Sequence, residues 1–283
     1  MIQHSFDTDL EKVWEENAQS IYSNTGLKKI VSLNLNGDKL DKLSKPELEK
    51  HGIFFYLSKK TFKSVVIKDV NNRKDNRGHL TANRLIESLP IHYKQFFVRN
   101  YTNKYVSIMD TFDYDLLYII SNETWSIAEM EKVCAFVIEG IFILLYYGYC
   151  YTDIKIEQVF VRKRKNASGY YHSIGGYEFA IGDLDFVSCS GSEGHMHTVK
   201  PPSYVRTAQE ITLFALGITC AEIMGADVSY FMKQGSKKKS VVDHQIRIIL
   251  NRVRGIDNIL YNFIERSLRK DYHDLVDLFG DFY

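Results

Sequence analysis

The sequence has little proline or glycine and almost no net charge. Only 4 prolines and 17 glycines in 283 residues exclude a collagen-like repeat, a long linker and a disordered chain. The 36 basic and 35 acidic residues balance to a formal charge of +1, which provides no electrostatic footprint for nucleic acid. Two short basic runs, at 162–165 and 237–239, are typical of solvated loops, with a nuclear signal or docking of an acidic substrate as alternatives. We therefore expect a folded protein that does not bind nucleic acid.

The sequence also lacks a C-x-x-C cysteine pair and an uninterrupted apolar run of membrane length. The four cysteines are Cys134, Cys150, Cys189 and Cys220. They form no C-x-x-C pair, which favours buried reduced thiols over a disulfide framework or a zinc site. Residues 1–7 lack the features of a signal peptide, and the most apolar stretch, 133–151, is interrupted by Glu139 and Gly140. We expect an intracellular protein, cytoplasmic or nuclear, with no membrane span.

The first 110 residues have a mostly β-type pattern. Apolar alternation and β-branched residues predict strands at 29–35, 52–57, 64–70, 96–98 and 105–109. Helical spacing predicts helices at 10–21 and 78–89, the second of which stops at Pro90. The charged segment 38–50 fits either a short helix or a loop.

The rest of the sequence is mainly helical in pattern. Helices are predicted at 127–147, 211–224, 243–253, 256–268 and 275–279. Two short strands are predicted at 159–161 and 179–181. A sheet-rich front half followed by a helical back half indicates an α+β chain with two lobes.

Two aspartates stand out between the long helix and the later short strand. Asp153 and Asp183 both lie at strand–loop junctions with apolar neighbours, so both could face one cleft. Asp183 suits a hard oxygen ligand for magnesium, and Asp153 suits acceptance of a proton from a hydroxyl. An aspartate at such a junction is also commonly a turn or cap residue, and that alternative stays open for each taken alone.

The order of five motifs resembles that of the protein-kinase-like superfamily, over nearly the whole chain. Lys68 ends V-I-K, similar to the V-A-I-K strand, and Glu87 follows on the next helix. Residues 151–158, Y-T-D-I-K-I-E-Q, resemble the catalytic loop H-R-D-L-K-P-E-N. Residues 181–185, I-G-D-L-D, resemble the metal-binding turn I-G-D-F-G, and 212–222 resemble the central helix of the large lobe.

This resemblance implies a role for each matched residue. Asp153 and Lys155 would be catalytic, and Asp183 would bind the metal bridging the phosphates, with Gln158 as a second metal ligand. The cofactor-binding residues would be Lys68, Glu87 and Met109. The implied cofactors are ATP and Mg²⁺, with Mn²⁺ as a substitute. The implied fold is a single bilobal protein-kinase-like domain over 1–283, with a β-rich N-lobe at 1–110 that carries one helix and an extra N-terminal helix, and a mainly helical C-lobe at 111–283.

Several positions depart from the family pattern. Gln158 replaces the asparagine that holds the second metal, Asp185 replaces the glycine of D-F-G, and Thr212 replaces an aspartate. No G-x-G-x-x-G precedes Lys68, which puts phosphate binding by a glycine loop in doubt. Thr152 replaces the arginine that, in the family, would bind the phosphate of a phosphorylated activation loop. The departures indicate a divergent member, of the kind found in large DNA viruses or bacterial effectors.

The resemblance implies a serine/threonine protein kinase that acts independently of activation-loop phosphorylation. Its partners would be a protein substrate and, in addition, a regulatory protein. The main alternative is a pseudokinase, a nucleotide-binding or protein-binding scaffold, favoured by Gln158, Asp185 and the missing glycine loop. A small-molecule kinase and a plain helical adaptor are the remaining alternatives.

Overall fold

The computed structural model describes residues 32–35, 38–50, 52–58, 64–69, 84–102, 106–163, 171–189, 198–233 and 238–282. They fall into two compact units. The first contains the described residues up to Lys94 together with Val98–Phe112. The second contains Gln95–Phe97 and the described residues from Asp113 onward. The predicted N-terminal helix at 10–21 lies outside the described residues.

The first unit is built on a six-stranded antiparallel sheet. Its strands are β1 Ser32–Leu35, β2 Asp38–Leu43, β3 Ile53–Ser58, β4 Ser64–Asp69, β5 Asn100–Thr102 and β6 Val106–Met109. Their order in the sheet is β1-β2-β3-β4-β6-β5. The central strands carry the apolar runs of the sequence, and Phe54, Tyr56, Ile67 and Ile108 are at most 1% exposed. The sheet therefore supplies the core of this unit.

Short helical segments accompany this sheet. Helix α1 is Pro46–Glu49, residues 84–88 form a helical turn (α2) that stops before Pro90, and α3 is Ile91–Lys94. The predicted hairpin of β3 and β4 is confirmed, with Phe55 opposite Val66.

Two expectations for the first 110 residues are wrong, the first of them in part. Segment 38–50 contains the expected short helix, α1, but residues 38–43 form a strand. In this strand Leu40 is fully buried, and Lys42 extends over the Phe54 ring and pairs with Glu49 at 3.0 Å. Residues 96–98 form no strand; Phe97 makes a single parallel bridge with Ile181 and belongs to the second unit.

The second unit is mainly helical, as predicted. Its helices are α4 Leu116–Asn122, α5 Ile127–Tyr146, α6 Ala208–Ile223, α7 Ser229–Lys233, α8 Lys239–Arg252, α9 Asn258–Arg269 and α10 Leu275–Phe279. Capping boxes at Ser126 and Thr207 begin α5 and α6 by satisfying their first backbone N–H groups. Most side chains of α6 are buried, which makes it the central helix of this unit.

The second unit also has six short strands among its described residues, one before α4 and five between α5 and α6. They are β7 Tyr114–Asp115, β8 Tyr149–Tyr151, β9 Val159–Lys163, β10 His172–Ile174, β11 Tyr177–Ile181 and β12 Val187–Cys189. One sheet has the order β10-β11-β9-β7, and β8 pairs with β12 in a second. Two 3-10 turns, Ile156–Gln158 and Leu184–Phe186, follow β8 and β11. This arrangement brings the ends of β8 and β11 to neighbouring positions.

Cys134, Cys150 and Cys220 are buried and reduced, and burial raises the pKa of the Cys134 thiol well above its usual range.

Within the part of the chain that the structure describes, no helix is long and apolar enough to cross a membrane.

Candidate active site

Asp153 lies in a tight loop between β8 and the first 3-10 turn. Antiparallel pairing of β8 with β12 fixes the start of the loop, and the pairing of β9 with β11 fixes its end. Within the loop, the Thr219 hydroxyl of α6 donates to the carbonyl of Ile154 at 3.3 Å. Asp153 itself is only 3% exposed. The loop is thus held by two sheets and the central helix, and a carboxylate is buried at its centre.

Asp183 follows β11 directly and has a left-handed backbone conformation, with φ of 52°. Such a conformation is uncommon for a residue with a side chain and needs support from its surroundings. Tyr151 provides part of that support, because its hydroxyl donates to the carbonyl of Gly182 at 2.9 Å and lies 3.1 Å from that of Asp183. Tyr151 is fully buried. The residue in the histidine position of the motif therefore ties the catalytic-loop segment to the Asp183 turn.

Gln158 makes the second connection between these segments. Its backbone carbonyl accepts a hydrogen bond from the N–H of Gly182 at 2.9 Å. Its side-chain amide nitrogen lies 3.2 Å from Asp183 Oδ2 and 3.4 Å from Asp153 Oδ2. The structure thus brings Asp153, Gln158 and Asp183 together, as the sequence predicted.

Lys155 contacts Asp153 on the other side. Its Nζ lies 3.3 Å from Asp153 Oδ2 and donates to the Thr198 hydroxyl at 2.9 Å. Thr198 lies 43 positions along the chain from Lys155, in the segment before α6. The lysine therefore links the buried carboxylate to that segment.

The two oxygens of Asp153 differ in their surroundings. Oδ2 accepts from both Lys155 and Gln158, whereas Oδ1 is buried and has no hydrogen-bond partner among the described residues. A buried carboxylate oxygen without a partner costs free energy unless something donates to it. The arrangement orients the carboxylate through Oδ2 and leaves Oδ1 for an incoming donor such as a hydroxyl.

Comparison with solved structures identifies the fold. The chain is similar to the structure of the Cydia pomonella granulovirus kinase, PK-1, with a TM-score of 0.56 and 16% sequence identity. The similarity covers 80% of this chain and 85% of that chain. The chain has a protein-kinase-like fold. No protein-family model matches the sequence, and no curated protein matches it.

The donor set of this kinase-like fold fits a magnesium ion carried by a nucleotide. No cluster of three or more His, Cys, Asp or Glu side chains suited to a metal occurs within the described ranges. Magnesium in phosphate-binding sites commonly takes one or two carboxylates and completes its shell with phosphate oxygens and water. The carboxylate of Asp183 fits that requirement.

The predicted cofactor-binding residues lie in the first unit of the kinase-like fold. Lys68 is in β4 and is only 3% exposed, which is rare for a lysine. Glu87 is exposed on the short helical turn α2, and Met109 is half-buried at the end of β6. Lys68 and Met109 lie on adjacent strands, since β4 pairs with β6.

Two acidic residues lie near the site without having been predicted. Burial, together with the negative charges of Glu157 and Asp227, raises the pKa of Glu222 to about 7. Oε2 of Glu157 and Oε2 of Glu222 are buried and have no hydrogen-bond partner in the described part of the chain. Glu157 lies in the motif at 151–158 and Glu222 in the motif at 212–222, and only the fold brings their charges within interaction range.

Three further residues position the site and were not predicted from the sequence: Tyr151, Thr198 and Thr219. Each is an uncharged residue whose role depends on a long-range hydrogen bond. The sequence contained one signal, the burial-prone Tyr151 in the histidine position of the motif. Nothing in the local sequence of Thr198 or Thr219 distinguishes them from ordinary threonines.

Proposed function

We propose that this protein is an ATP- and magnesium-dependent kinase that phosphorylates serine or threonine of protein substrates. The proposal rests on the hydrogen bonding of the two carboxylate oxygens of Asp153. Lys155 and Gln158 hold one oxygen of a buried carboxylate, and the other oxygen has no partner among the described residues. A general base needs this combination of fixed orientation and an available acceptor atom.

The remaining charged residues have complementary roles. Lys155 would contact the transferring phosphate, and its hydrogen bonds to Asp153 and Thr198 hold its amino group in position. Lys68 would neutralise the nucleotide phosphates with the help of Glu87, and Met109 would contact the nucleotide. Asp183 would hold the magnesium ion, which when bound neutralises charge on the phosphates. Phosphoryl transfer depends mostly on positioning and charge stabilisation, so these few side chains suffice.

We further propose that activity does not depend on phosphorylation of the activation loop. Thr152 occupies the position from which an arginine would bind such a phosphate, and it is neutral and only 3% exposed. Treatment with a phosphatase should leave the rate of phosphate transfer unchanged. A loss of activity that rephosphorylation restores would contradict this.

The test of the main proposal is a phosphate-transfer assay against a serine/threonine peptide library. Asp153→Asn should lower the rate by about 10²–10⁴-fold, because it removes the base but keeps the shape of the side chain. A matched control is Asp271→Asn, at an exposed aspartate just after α9, which should leave the rate unchanged. Equal rates for Asp153→Asn and the wild type would refute the assignment of the base.

One observation favours a pseudokinase as the second candidate. The amide group of Gln158 already lies beside both aspartates. In that case the protein would bind a nucleotide or a protein partner without transferring phosphate. The library assay then shows no transfer, while a wild-type protein still binds a fluorescent ATP analogue.

A further inference from the structure

Gln158 is the unusual residue of the candidate active site. It is only 5% exposed, and it ends the 3-10 turn that follows the loop of Asp153. Its amide nitrogen, rather than its oxygen, is directed at Oδ2 of Asp183 and at Oδ2 of Asp153, at 3.2 and 3.4 Å.

The electrostatics of the site support this orientation of the amide. A carboxylate oxygen only accepts hydrogen bonds, and an amide NH₂ group has two hydrogens to donate. Rotating the amide by half a turn would place its partially negative oxygen 3.2–3.4 Å from two carboxylate oxygens, which would repel it. The extra methylene of glutamine, compared with asparagine, gives the amide the reach to contact both aspartates from one backbone position.

Gln158 also holds the same two segments through its backbone. Its carbonyl accepts from the N–H of Gly182, the residue before Asp183, at 2.9 Å. The side chain and the main chain of one residue therefore fix Asp183 relative to Asp153.

From this geometry we infer that Gln158 is a positioning residue that holds Asp153 and Asp183 together through its amide nitrogen, and that it is not a ligand of a second metal ion. The inference rests on the proposed function for its consequence, which is that the site takes one divalent ion with its nucleotide. It replaces the role that the sequence motif implied for this position. To ligate a metal, the amide would have to turn its oxygen inward and lose both hydrogen bonds.

The first experiment tests the orientation of the amide without nucleotide or metal. Thermal unfolding is measured in EDTA for wild type, Gln158→Leu and Gln158→Glu. Leucine removes the donor, and glutamate keeps the shape but places a third carboxylate against the other two. The unfolding temperature should fall by several degrees in Gln158→Leu and further in Gln158→Glu. An unfolding temperature of Gln158→Glu equal to or above the wild-type value would overturn the inference.

The second experiment counts the ions. Electron paramagnetic resonance titration with Mn²⁺, in the presence of a non-hydrolysable ATP analogue, should give one bound ion per wild-type protein. Gln158→Leu should bind the same single ion with similar affinity, and its kcat should fall while the Mg²⁺ concentration for half-maximal rate stays unchanged. Two ions in the wild type, one of them lost in Gln158→Leu, would overturn the inference.

The two experiments separate this inference from the proposed function. If the wild type binds no Mn²⁺-nucleotide at all, the proposed function fails, and the melting order in EDTA still decides the role of Gln158.

Discussion

Tyr151 connects the two segments that carry the candidate active-site aspartates. Its hydroxyl contacts the carbonyls of Gly182 and Asp183, and its ring is fully buried. Because Asp183 has a left-handed backbone, loss of this contact removes support from an unfavourable conformation.

We therefore predict that Tyr151→Phe lowers the free energy of unfolding by about 1–3 kcal/mol, since it leaves buried carbonyls without their donor. Urea denaturation measures the change. Tyr149→Phe, on the same strand β8 but only half-buried, is the control and should lose much less. Equal losses in the two variants would show that the Tyr151 hydroxyl does not support the turn.

Glu222 should make stability depend on pH. Its pKa of about 7 in the folded protein is above the ordinary glutamate value of 4.5, so the folded state holds its proton more tightly than the unfolded state. Ionising Glu222 in the folded protein lowers the free energy of unfolding. This loss is absent below pH 4.5, grows as the pH rises and is complete above pH 7.

Glu222→Gln should therefore match the wild type in stability at pH 4. At pH 8 it should be more stable by up to about 2 kcal/mol, a value reduced to allow for partial contact with solvent. Glu47→Gln, at an exposed glutamate, controls for the loss of one charge. A difference between Glu222→Gln and the wild type that is the same at both pH values would contradict this origin.

At the residue scale, the sequence predicted the charged members of the site and missed the neutral ones. Asp153, Lys155 and Asp183 could be found because their chemistry and order match a known motif. Thr198 could not, because its only distinguishing feature is a hydrogen bond formed across 43 positions of sequence. The orientation of the Gln158 amide was equally inaccessible, because it depends on where two distant carboxylates meet.

At the scale of elements, close packing of α6 against α9 holds the central helix of the second unit. A Cβ atom on Gly217 would lie 2.9 Å from Cβ of Ser267 and 3.4 Å from Cδ2 of Leu268. Since a Cβ atom cannot move without its backbone, the helices would have to separate slightly.

Gly217→Ala should therefore destabilise the protein by about 1–3 kcal/mol, although alanine favours the helix itself. Ser267→Gly removes the atom that would collide. In a double-mutant cycle, the double variant should be more stable than the sum of the two single losses implies. If chemical denaturation shows that the losses in the free energy of unfolding are strictly additive, there is no steric clash between the two positions.

Long elements were easier to predict than short ones. Helix α5 was predicted within one residue because its apolar pattern is long. Strand β2 was missed because Lys42 lies on the same face as the buried Leu40, with its Nζ over the Phe54 ring and paired with Glu49. Residues 96–98 have a strand-like composition, but tertiary packing leaves them only a single bridge.

At the scale of the whole molecule, the sequence predicted the fold through the order of its motifs. A β-rich unit comes first in the chain, a helical unit follows, and the comparison with solved structures confirms a protein-kinase-like fold. A similar fold at 16% identity does not by itself establish activity, so binding of magnesium and ATP is the property to measure.

Thermal unfolding of the wild type and Lys68→Ala, each with and without magnesium-ATP, measures this binding. Lys39→Ala, at an exposed lysine of the same sheet, is the control. Ligand at 100 times its dissociation constant adds about 2.7 kcal/mol to the stability of the folded state. We predict a magnesium-dependent rise of a few degrees in the wild type and in Lys39→Ala, and its loss in Lys68→Ala. No rise at millimolar magnesium-ATP in the wild type, or an equal rise in Lys68→Ala, would refute a nucleotide site at Lys68.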